Sequence, residues 1–393
     1  MRRLILAILM LVPAAAAAQP ARYAGDRDQV SMVVMRAATQ PQPFLGADGN
    51  MHLVYEVEVT SARPQTVLID SFEVLDAETS RVLWSARDAM VKEWFQLLDH
   101  TVTDTLLGSQ TGEFWLDVKL KPGEVPRRLA HRITTTSKEK GLTVANPVGD
   151  KLEHNTVTGA PVEVSQKPVL VLGPPLEGKG WIAMNSCCTG GHRRAGIPVN
   201  GAYYVSQALA IDYMQLGRDD YLVAGDPDKN EDYVGYGRNV LAVADGTVAS
   251  VLDGLPDRVP GKLPPDTTIQ NVTGNHVILD IGNGRYVFYA HLKSGTIKVK
   301  VGERVKRGQV LALLGNSGNT SAPHLHIHVM DALSPLGANN VPYVIDRFTI
   351  TGAIDNFEPD PNQHPMGQKI PIKRTGASAR VDAFPMDGDI VDF

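Results

Sequence analysis

The sequence predicts a mainly β protein, with an N-terminal β-sandwich-like module followed by an antiparallel β domain. Three observations support this prediction: apolar and polar residues alternate with a period of two, glycine-rich turns separate the predicted strands, and no long helical pattern is evident. The 36 glycines and 26 prolines, beside only 6% aromatic residues, favour short strands and many turns. A chain of 393 residues is long enough for two domains.

Residues 1–18 are typical of a secretory signal peptide. Arg2 and Arg3 form a basic start, a short apolar run follows, and small residues end at Ala18. The apolar run is too short to span a bilayer, and the sequence offers no other transmembrane candidate. We therefore expect a periplasmic or secreted protein, cleaved near Ala18 and without stable membrane insertion.

Residues 19–160 are predicted to form the β-sandwich-like module. In the stretch MHLVYEVEVT, alternate apolar side chains share one strand face, and Glu56 and Glu58 lie on the opposite face. The same alternation returns over residues 113–134, around the turn KPGEVP. No cluster of titratable groups suggests a site here, and we expect the scattered histidines at the surface: His52, His100, His131 and His154.

Residues 161–355 are predicted to form the second domain, and residues 356–393 a C-terminal tail that could pair back on a sheet. A segment rich in glycine and proline separates the two predicted modules around residues 155–180. Six of the eleven histidines lie between residues 192 and 328. This concentration indicates that the chemistry of the protein belongs to the second domain.

Net charge and cysteine content limit the possible partners. The formal net charge of −5 leaves no basic surface for nucleic acid. The two cysteines, Cys187 and Cys188, are adjacent and too few for a disulfide scaffold. Because a disulfide between neighbours is uncommon, we expect a small loop packed near the site; a thiolate metal site with His192 is the less favoured alternative. The oligomeric state is not indicated.

A cluster of histidines and one aspartate has the composition of a hydrolytic metal site. In SAPHLHIHVMD, three histidines at alternate positions would share one face of a strand. Zinc in hydrolases takes histidine and carboxylate ligands and keeps one position for water, and the reaction also needs a base and an oxyanion donor. The segments GGHRRAG, AIDYM, YAHL and SAPHLHIHV together supply these groups: His192, Asp212, His291, His324, His326 and His328.

Residues 242–329 resemble the core of the lysostaphin-type zinc metallopeptidases, which hydrolyse peptide cross-links in bacterial peptidoglycan. The resemblance rests on four segments in the family's order: AVADGTVASV, GNHVILDIGNGRYVFYAHL, KVGERVKRGQVLALLGNSG and PHLHIHV. It implies an exported endopeptidase with Zn²⁺ as cofactor and a peptidoglycan peptide as substrate. In such an enzyme a zinc-bound water attacks the peptide carbonyl.

The resemblance also implies a role for each residue of the cluster. The zinc ligands would be His192, Asp212 and His326. His324, the first histidine of His-x-His, would be the general base, and His291 would orient the water or stabilise the oxyanion.

The chain departs from the family's pattern at its first two ligands. The family usually has His-x-x-x-Asp, whereas His192 and Asp212 are twenty positions apart, so we interpret residues 193–209 as an insertion. Spacing alone would allow His326 with His328 as the metal pair, and only the resemblance favours His324 with His326 as base and ligand. His328 is then either a supporting or substrate-facing residue or a structural one. His276 is expected to be structural.

Parts of the sequence are compatible with two other functions. A latent or inactive relative would bind the wall or regulate other wall hydrolases, but such relatives generally lack ligands, and this chain has a candidate for each. The segment KVGERVKRGQVLALLGNSG also resembles lipoyl, biotinyl and sugar-phosphotransferase carrier domains. The signal peptide and the PHLH strand argue against a carrier, because those domains are cytoplasmic.

Overall fold

The computed structural model describes residues 30–137, 154–188, 191–356, 363–364 and 366–393. The predicted signal peptide lies outside these residues. Within them the protein is almost entirely β, with a single short α-helix, α1 (Ala89–Trp94). No helix in the described ranges is long and apolar enough to cross a membrane. The predicted mainly β fold class is confirmed.

Ten strands form the N-terminal module and arrange in two sheets. In chain order they are β1 (Val33–Ala37), β2 (Phe44–Leu45), β3 (Met51–Ser61), β4 (Val67–Asp76), β5 (Val82–Arg87), β6 (Phe95–Leu97), β7 (Thr105–Leu106), β8 (Thr111–Leu120), β9 (Arg128–Ser137) and β10 (His154–Glu163). One sheet has the order β1-β3-β8-β6, with β2 against β3, and the other has the order β10-β9-β4-β5, with β7 against β4.

The two sheets enclose one apolar core, as in a β-sandwich. Alternate residues of β3, among them Leu53 and Tyr55, pack inward against residues of the second sheet such as Phe72 and Ile133. Glu56, on the other face of β3, is also fully buried. The outer face of this sheet is therefore covered, and the covering comes from the second half of the chain.

The expectation of surface histidines in this module is wrong for two of the four. His52 and His131 are fully buried, whereas His100 and His154 are exposed. His131 lies in the sandwich core, where its Nε2 is 2.8 Å from the Tyr55 hydroxyl. Periodicity did not reveal these positions, because both histidines lie within strands and have polar partners there.

Fifteen strands follow in the second half of the described chain. They are β11 (Leu170–Leu172), β12 (Trp181–Met184), β13 (Ile197–Val199), β14 (Ala202–Tyr204), β15 (Ile211–Gln215), β16 (Asn239–Leu241), β17 (Gly246–Leu252), β18 (Asn275–Asp280), β19 (Tyr286–Leu292), β20 (Arg304–Val305), β21 (Val310–Leu313), β22 (Leu325–Met330), β23 (Tyr343–Ile354), β24 (Ile372–Ala383) and β25 (Asp389–Asp392).

Eleven of these strands make one large sheet. Its order is β11-β23-β25-β12-β15-β22-β19-β18-β17-β20, with β24 paired to β23. All pairs are antiparallel except β11 with β23. Two small sheets, β13-β14 and β16-β21, lie beside it. The strands that contain the histidine motifs, β19 and β22, are neighbours near the middle of the large sheet.

Residues beyond 356 contribute two strands to the large sheet. β24 pairs with β23 along most of its length, and β25 lies between β23 and β12. Ile390 and Val391 of β25 are buried in the domain core. This segment, expected as a tail that could pair back on a sheet, is thus an integral part of the large sheet.

Candidate active site

The centre of the candidate site is a cross-strand pair in the large sheet. Asp212 of β15 lies directly opposite His326 of β22, and Ala290 of β19 lies on the other side of His326. Asp212 Oδ1 is 2.9 Å from His326 Nδ1. β22 is buried on both faces, with Leu325 and Ile327 packed in the core and the histidines on the other face. The alternation in the sequence therefore places the imidazoles on the same face of the strand.

The third predicted ligand comes from outside the sheet. His192 lies in a short 3₁₀ turn, Gly191–Arg194, and its Nε2 is 3.4 Å from Asp212 Oδ2. The His192 and His326 ring centroids are 4.8 Å apart. One ligand atom from each of His192, Asp212 and His326 lies within 4.8 Å of the others. The structure thus brings these three side chains together despite the long separation in sequence.

The other two predicted catalytic histidines flank this group. His324 Nε2 is 3.4 Å from Asp212 Oδ1, and the His291 and His324 ring centroids are 4.7 Å apart. His324 Nδ1 is 2.8 Å from the Ala322 carbonyl, and His291 Nδ1 is 2.7 Å from the Ser317 carbonyl. Because a carbonyl can only accept, both Nδ1 atoms must be donors. In the neutral rings each Nε2 is therefore free to accept a proton.

Burial and neighbouring charge set the protonation states of the predicted ligands. Burial lowers the pKa of His192 to about 4, aided by His326 and His324 and opposed by Asp212. Burial raises the pKa of Asp212, but the charges of His192 and His324 and the bonds to His324 and His326 outweigh it and hold the pKa well below its usual value. A neutral imidazole and an ionised carboxylate are the forms that bind a metal.

His328 supports His326 from behind. Its Nδ1 is 2.8 Å from His326 Nε2, and its Nε2 has no hydrogen-bond partner among the described residues. Burial lowers the pKa of His328 well below its usual value, so the ring is neutral. His276, by contrast, bonds the Gly274 carbonyl through Nδ1 at 3.0 Å and does not line the cleft around Asp212.

A cleft of about 390 Å³ opens over these side chains. Its polar floor consists of His192, Asp212 and the histidines of β19 and the β22 segment. Leu263, Val272 and Leu336 also line the cleft and add apolar surface to it. A small cluster of polar groups in a partly apolar cleft is the usual form of a substrate site.

Two residues of the site were missed in the sequence. Asn185 donates from Nδ2 to Asp212 Oδ2 at 2.9 Å, and Ser317, in the GNSG turn, provides the carbonyl that fixes His291. Asn185 has a φ of 53° and His291 a φ of 60°, a left-handed conformation that non-glycine residues seldom adopt. Asn185 reaches the site because Met184 pairs with Asp212 across β12 and β15, which no local pattern reveals.

A second group of potential ligands lies away from the cleft. His52, Asp117, Cys187 and Cys188 have ligand atoms within 4.8 Å of one another. The two cysteines form a disulfide, a pairing that is uncommon between neighbours, and their sulfurs are therefore not thiolates. The cysteines also group with His52 of the N-terminal module rather than with His192, contrary to the less favoured thiolate alternative.

The donor set at Asp212 fits zinc. Two histidines and one carboxylate are a common set in hydrolytic zinc sites, in which a fourth position remains for water. The neutral, half-buried His192 and the ionised Asp212 agree with that requirement. His328 behind His326 provides the outer hydrogen bond that commonly fixes a ligand histidine.

Comparison with known proteins relates this part of the chain to peptidases. Residues 232–338 match the model of peptidase family M23. The peptidoglycan DD-endopeptidase ShyA of Vibrio cholerae serotype O1 is 40% identical over 65 residues, which are 16% of this chain and 15% of that protein. An uncharacterized metalloprotease of Haemophilus influenzae is 35% identical over 165 residues, or 39% and 33% of the two chains. The chain thus matches a third or less of the length of these relatives.

Two of the solved structures that match this chain are peptidases. The catalytic domain of lysostaphin from Staphylococcus simulans has 20% identity and a TM-score of 0.22, and the match covers 42% of this chain and 88% of that domain. A zinc containing peptidase from Vibrio cholerae has 14% identity and a TM-score of 0.25, with coverage of 76% and 85%.

The matched range contains only part of the candidate site. His291, His324 and His326 lie within residues 232–338, whereas His192 and Asp212 precede them. The family match therefore supports a peptidase. The assignment of His192 and Asp212 as ligand candidates rests instead on the geometry around Asp212.

Proposed function

We propose that this chain, whose residues 232–338 carry a peptidase family M23 domain, is an exported zinc-dependent endopeptidase that hydrolyses peptide cross-links of peptidoglycan. The observation that carries the proposal is the meeting of His192, Asp212 and His326 beside two histidines with available Nε2 atoms. Relatives named as peptidoglycan DD-endopeptidases support the substrate class.

His192, Asp212 and His326 would hold the metal. Bound zinc supplies a Lewis acid that polarises the scissile carbonyl and lowers the pKa of water. Asp212 contributes the negative charge, and Asn185 fixes its second oxygen by donating a hydrogen bond. His328 holds the His326 ring in place from the far side.

His324 is the proposed general base. Its Nδ1 donates to the Ala322 carbonyl, so the neutral ring has its lone pair on Nε2, on the side of Asp212 and the cleft. That Nε2 would take the proton of the attacking water and return it to the leaving amine. Proton transfer by a positioned histidine typically contributes about 10²–10⁴-fold in rate.

His291 is proposed to orient the water. Burial lowers its pKa well below the usual value, with the charges of His324 and His326 adding to the effect. A neutral His291 that donates through Nδ1 has an Nε2 that accepts, which suits holding a water hydrogen better than donating to an oxyanion. Of the two roles considered for His291, we propose the first.

Metal analysis and digestion of purified peptidoglycan test this function together. The mature protein is expected to bind one zinc per chain and to release peptide fragments, and His326→Ala is expected to lose both properties. His100→Ala, which alters an exposed histidine of the N-terminal module, is the control and should keep both.

The outcomes separate the alternatives. Stoichiometric zinc without digestion would support the latent or wall-binding alternative. A protein that binds no zinc would contradict the enzymatic proposal.

A further inference from the structure

The segment between His192 and Asp212 is docked on the N-terminal module. Arg193, next to His192, is 1% exposed, and its side chain enters the outer face of the sheet that contains β3 and β8. Its Nη1 donates to Glu56 Oε1 at 2.5 Å, and its Nη2 donates to the carbonyls of Tyr55 and Leu116 at 3.0 and 2.9 Å. Tyr55 and Leu116 face each other across β3 and β8, so one guanidinium joins both strands.

Further contacts fix the same segment. The Arg193 guanidinium lies over the Trp115 ring, 5.2 Å from its centroid. Trp115 also packs against Val205 and Ala208, near the other end of the segment. The following residue, Arg194, donates to the Glu93 carbonyl. The segment thus contacts the N-terminal module at both of its ends.

Cys188, four residues before His192, is held by the module as well. Cys188 is buried, and its Sγ lies 3.8 Å from His52 Nδ1. His52 is in turn fixed by Asp117, whose Oδ1 is 2.8 Å from His52 Nδ1. His192 therefore lies in the chain between Cys188 and Arg193, and both of these residues contact the N-terminal module.

The burial of Arg193 makes its anchor specific. A buried guanidinium must keep its carboxylate and carbonyl partners, because an uncompensated buried charge is strongly unfavourable. Arginine presents its donors in a rigid planar fork, which fixes orientation as well as distance. Arg193 and His192 are adjacent in the same 3₁₀ turn. Contacts that fix the orientation of Arg193 therefore also fix the turn that contains His192.

We infer that Arg193 is a positioning residue, through which the N-terminal module holds His192 at the metal centre. This inference rests on the proposed function. It assigns the module a role in completing the zinc site, and it explains the long spacing between the first two ligands: the segment leaves the site, docks on the module and returns to β15. Without these contacts, His192 would lie on a free loop of about twenty residues. Ordering that loop would cost entropy and lower the affinity for zinc.

Zinc affinity is the property that tests this inference. In the full-length mature protein, Arg193→Ala is expected to lower the zinc affinity about 10- to 100-fold, the range for loss of a residue that supports a metal ligand. The dissociation constant is measured by competition with a chromophoric chelator. At saturating zinc, kcat should recover most of its wild-type value while KM stays unchanged, because the chemical groups are intact.

Two conservative variants separate positioning from general damage. Arg193→Lys keeps the charge but cannot reach Glu56 and both carbonyls at once, so it should restore only part of the affinity. Glu56→Gln keeps the shape of the partner and removes its charge, so it should weaken zinc about tenfold. Glu56→Gln decides the question if Arg193→Ala does not fold.

Two controls accompany these variants. Arg36→Ala removes a mostly exposed arginine that pairs with Glu58 on β3, and Ile133→Ala weakens the sandwich core without touching the segment. Both should bind zinc like the wild type, even though Ile133→Ala unfolds at a lower temperature. If Ile133→Ala lost as much zinc affinity as Arg193→Ala, the loss would be explained by lower global stability. That result would overturn the inference.

The result also distinguishes this inference from the proposed function. If the wild type binds no zinc, the proposed function fails. If the wild type binds zinc and digests peptidoglycan while Arg193→Ala or Glu56→Gln keeps the wild-type dissociation constant, only the positioning role of Arg193 is contradicted.

Discussion

Asp212 Oδ1 lies 2.9 Å from His326 Nδ1, in a directly opposed pair across β15 and β22. The same carboxylate lies 3.4 Å from His192 Nε2 and 3.4 Å from His324 Nε2. One buried negative charge therefore faces both proposed histidine ligands and the proposed base. Substitutions around this carboxylate should separate metal binding from catalysis.

Removing the charge of Asp212 should affect the metal first. In Asp212→Asn the amide keeps the shape of the side chain but not its charge, and a proposed ligand is lost. We expect zinc affinity to fall by more than the roughly 100-fold upper range for a merely supporting residue. Chelator competition measures the change, with Asp280→Asn at the end of β18 as control. A dissociation constant within a few-fold of wild type would remove Asp212 from the ligand set.

His324→Gln should impair catalysis while zinc stays bound. The amide cannot accept and return a proton as imidazole does, so kcat is expected to fall about 10²–10⁴-fold with stoichiometric zinc retained. Burial lowers the pKa of His324, but the charge and hydrogen bond of Asp212 outweigh it and the net pKa is raised. Because the base must be neutral, wild-type activity should fall as the pH drops and His324 takes up a proton.

The pH profile provides the check on His324. The acid limb should be present in the wild type and absent from the residual activity of His324→Gln. An unchanged acid limb in the variant would assign the titration, and with it the role of base, to another group.

His328→Ala should have an intermediate effect. It removes the partner 2.8 Å from His326 Nε2, so zinc affinity is expected to fall about 10- to 100-fold, less than in His326→Ala. Parallel titrations of the two variants make the comparison. A loss as large as that of His326→Ala would make His328 a ligand and would reverse the choice between the two histidine pairs.

Glu113 should make the stability of the N-terminal module depend on pH. Burial, with the charges of Glu56 and Glu58, raises its pKa to about 8, against the opposing effect of Arg193. The folded state keeps this proton up to about pH 8, whereas the unfolded chain releases it near 4.5. The stabilisation from this group is thus complete below pH 4.5 and is lost as the pH rises towards 8.

Glu113→Gln should remove that dependence. Between pH 5 and 8 the wild type should lose free energy of unfolding relative to the variant, by on the order of 2–4 kcal/mol. Urea titration at each pH measures this difference. Parallel stability curves for the two proteins would show that Glu113 does not retain its proton in the folded state.

Local patterns were sufficient for the strands of the site. Alternation in PHLHIHV predicted that three histidines share a face, and they do so on and beside β22. Alternation in β3 likewise separated Leu53 and Tyr55 from Glu56. These predictions succeed because side-chain direction in a strand follows from the backbone alone.

Contacts between distant segments were not predictable in the same way. The burial of His52 and Glu56 depends on the second half of the chain covering the first sheet, and the Asn185 bond to Asp212 depends on strand pairing. No periodicity records which surface another domain will cover. The contact of Arg193 with the N-terminal module was unpredictable for the same reason. The segment GGHRR does not indicate which of Arg193 and Arg194 is buried.

The position of β25 has a consequence for the order of assembly. Because this strand, residues 389–392, inserts between β23 and β12, β12 gains its second neighbour only when these residues are in place. β12 borders β15, the strand of Asp212, so the wall beside the carboxylate is completed by residues made about 180 positions later in synthesis. Before that point, a nascent chain would expose unpaired strand edges on both sides of the gap, open to pairing with other chains.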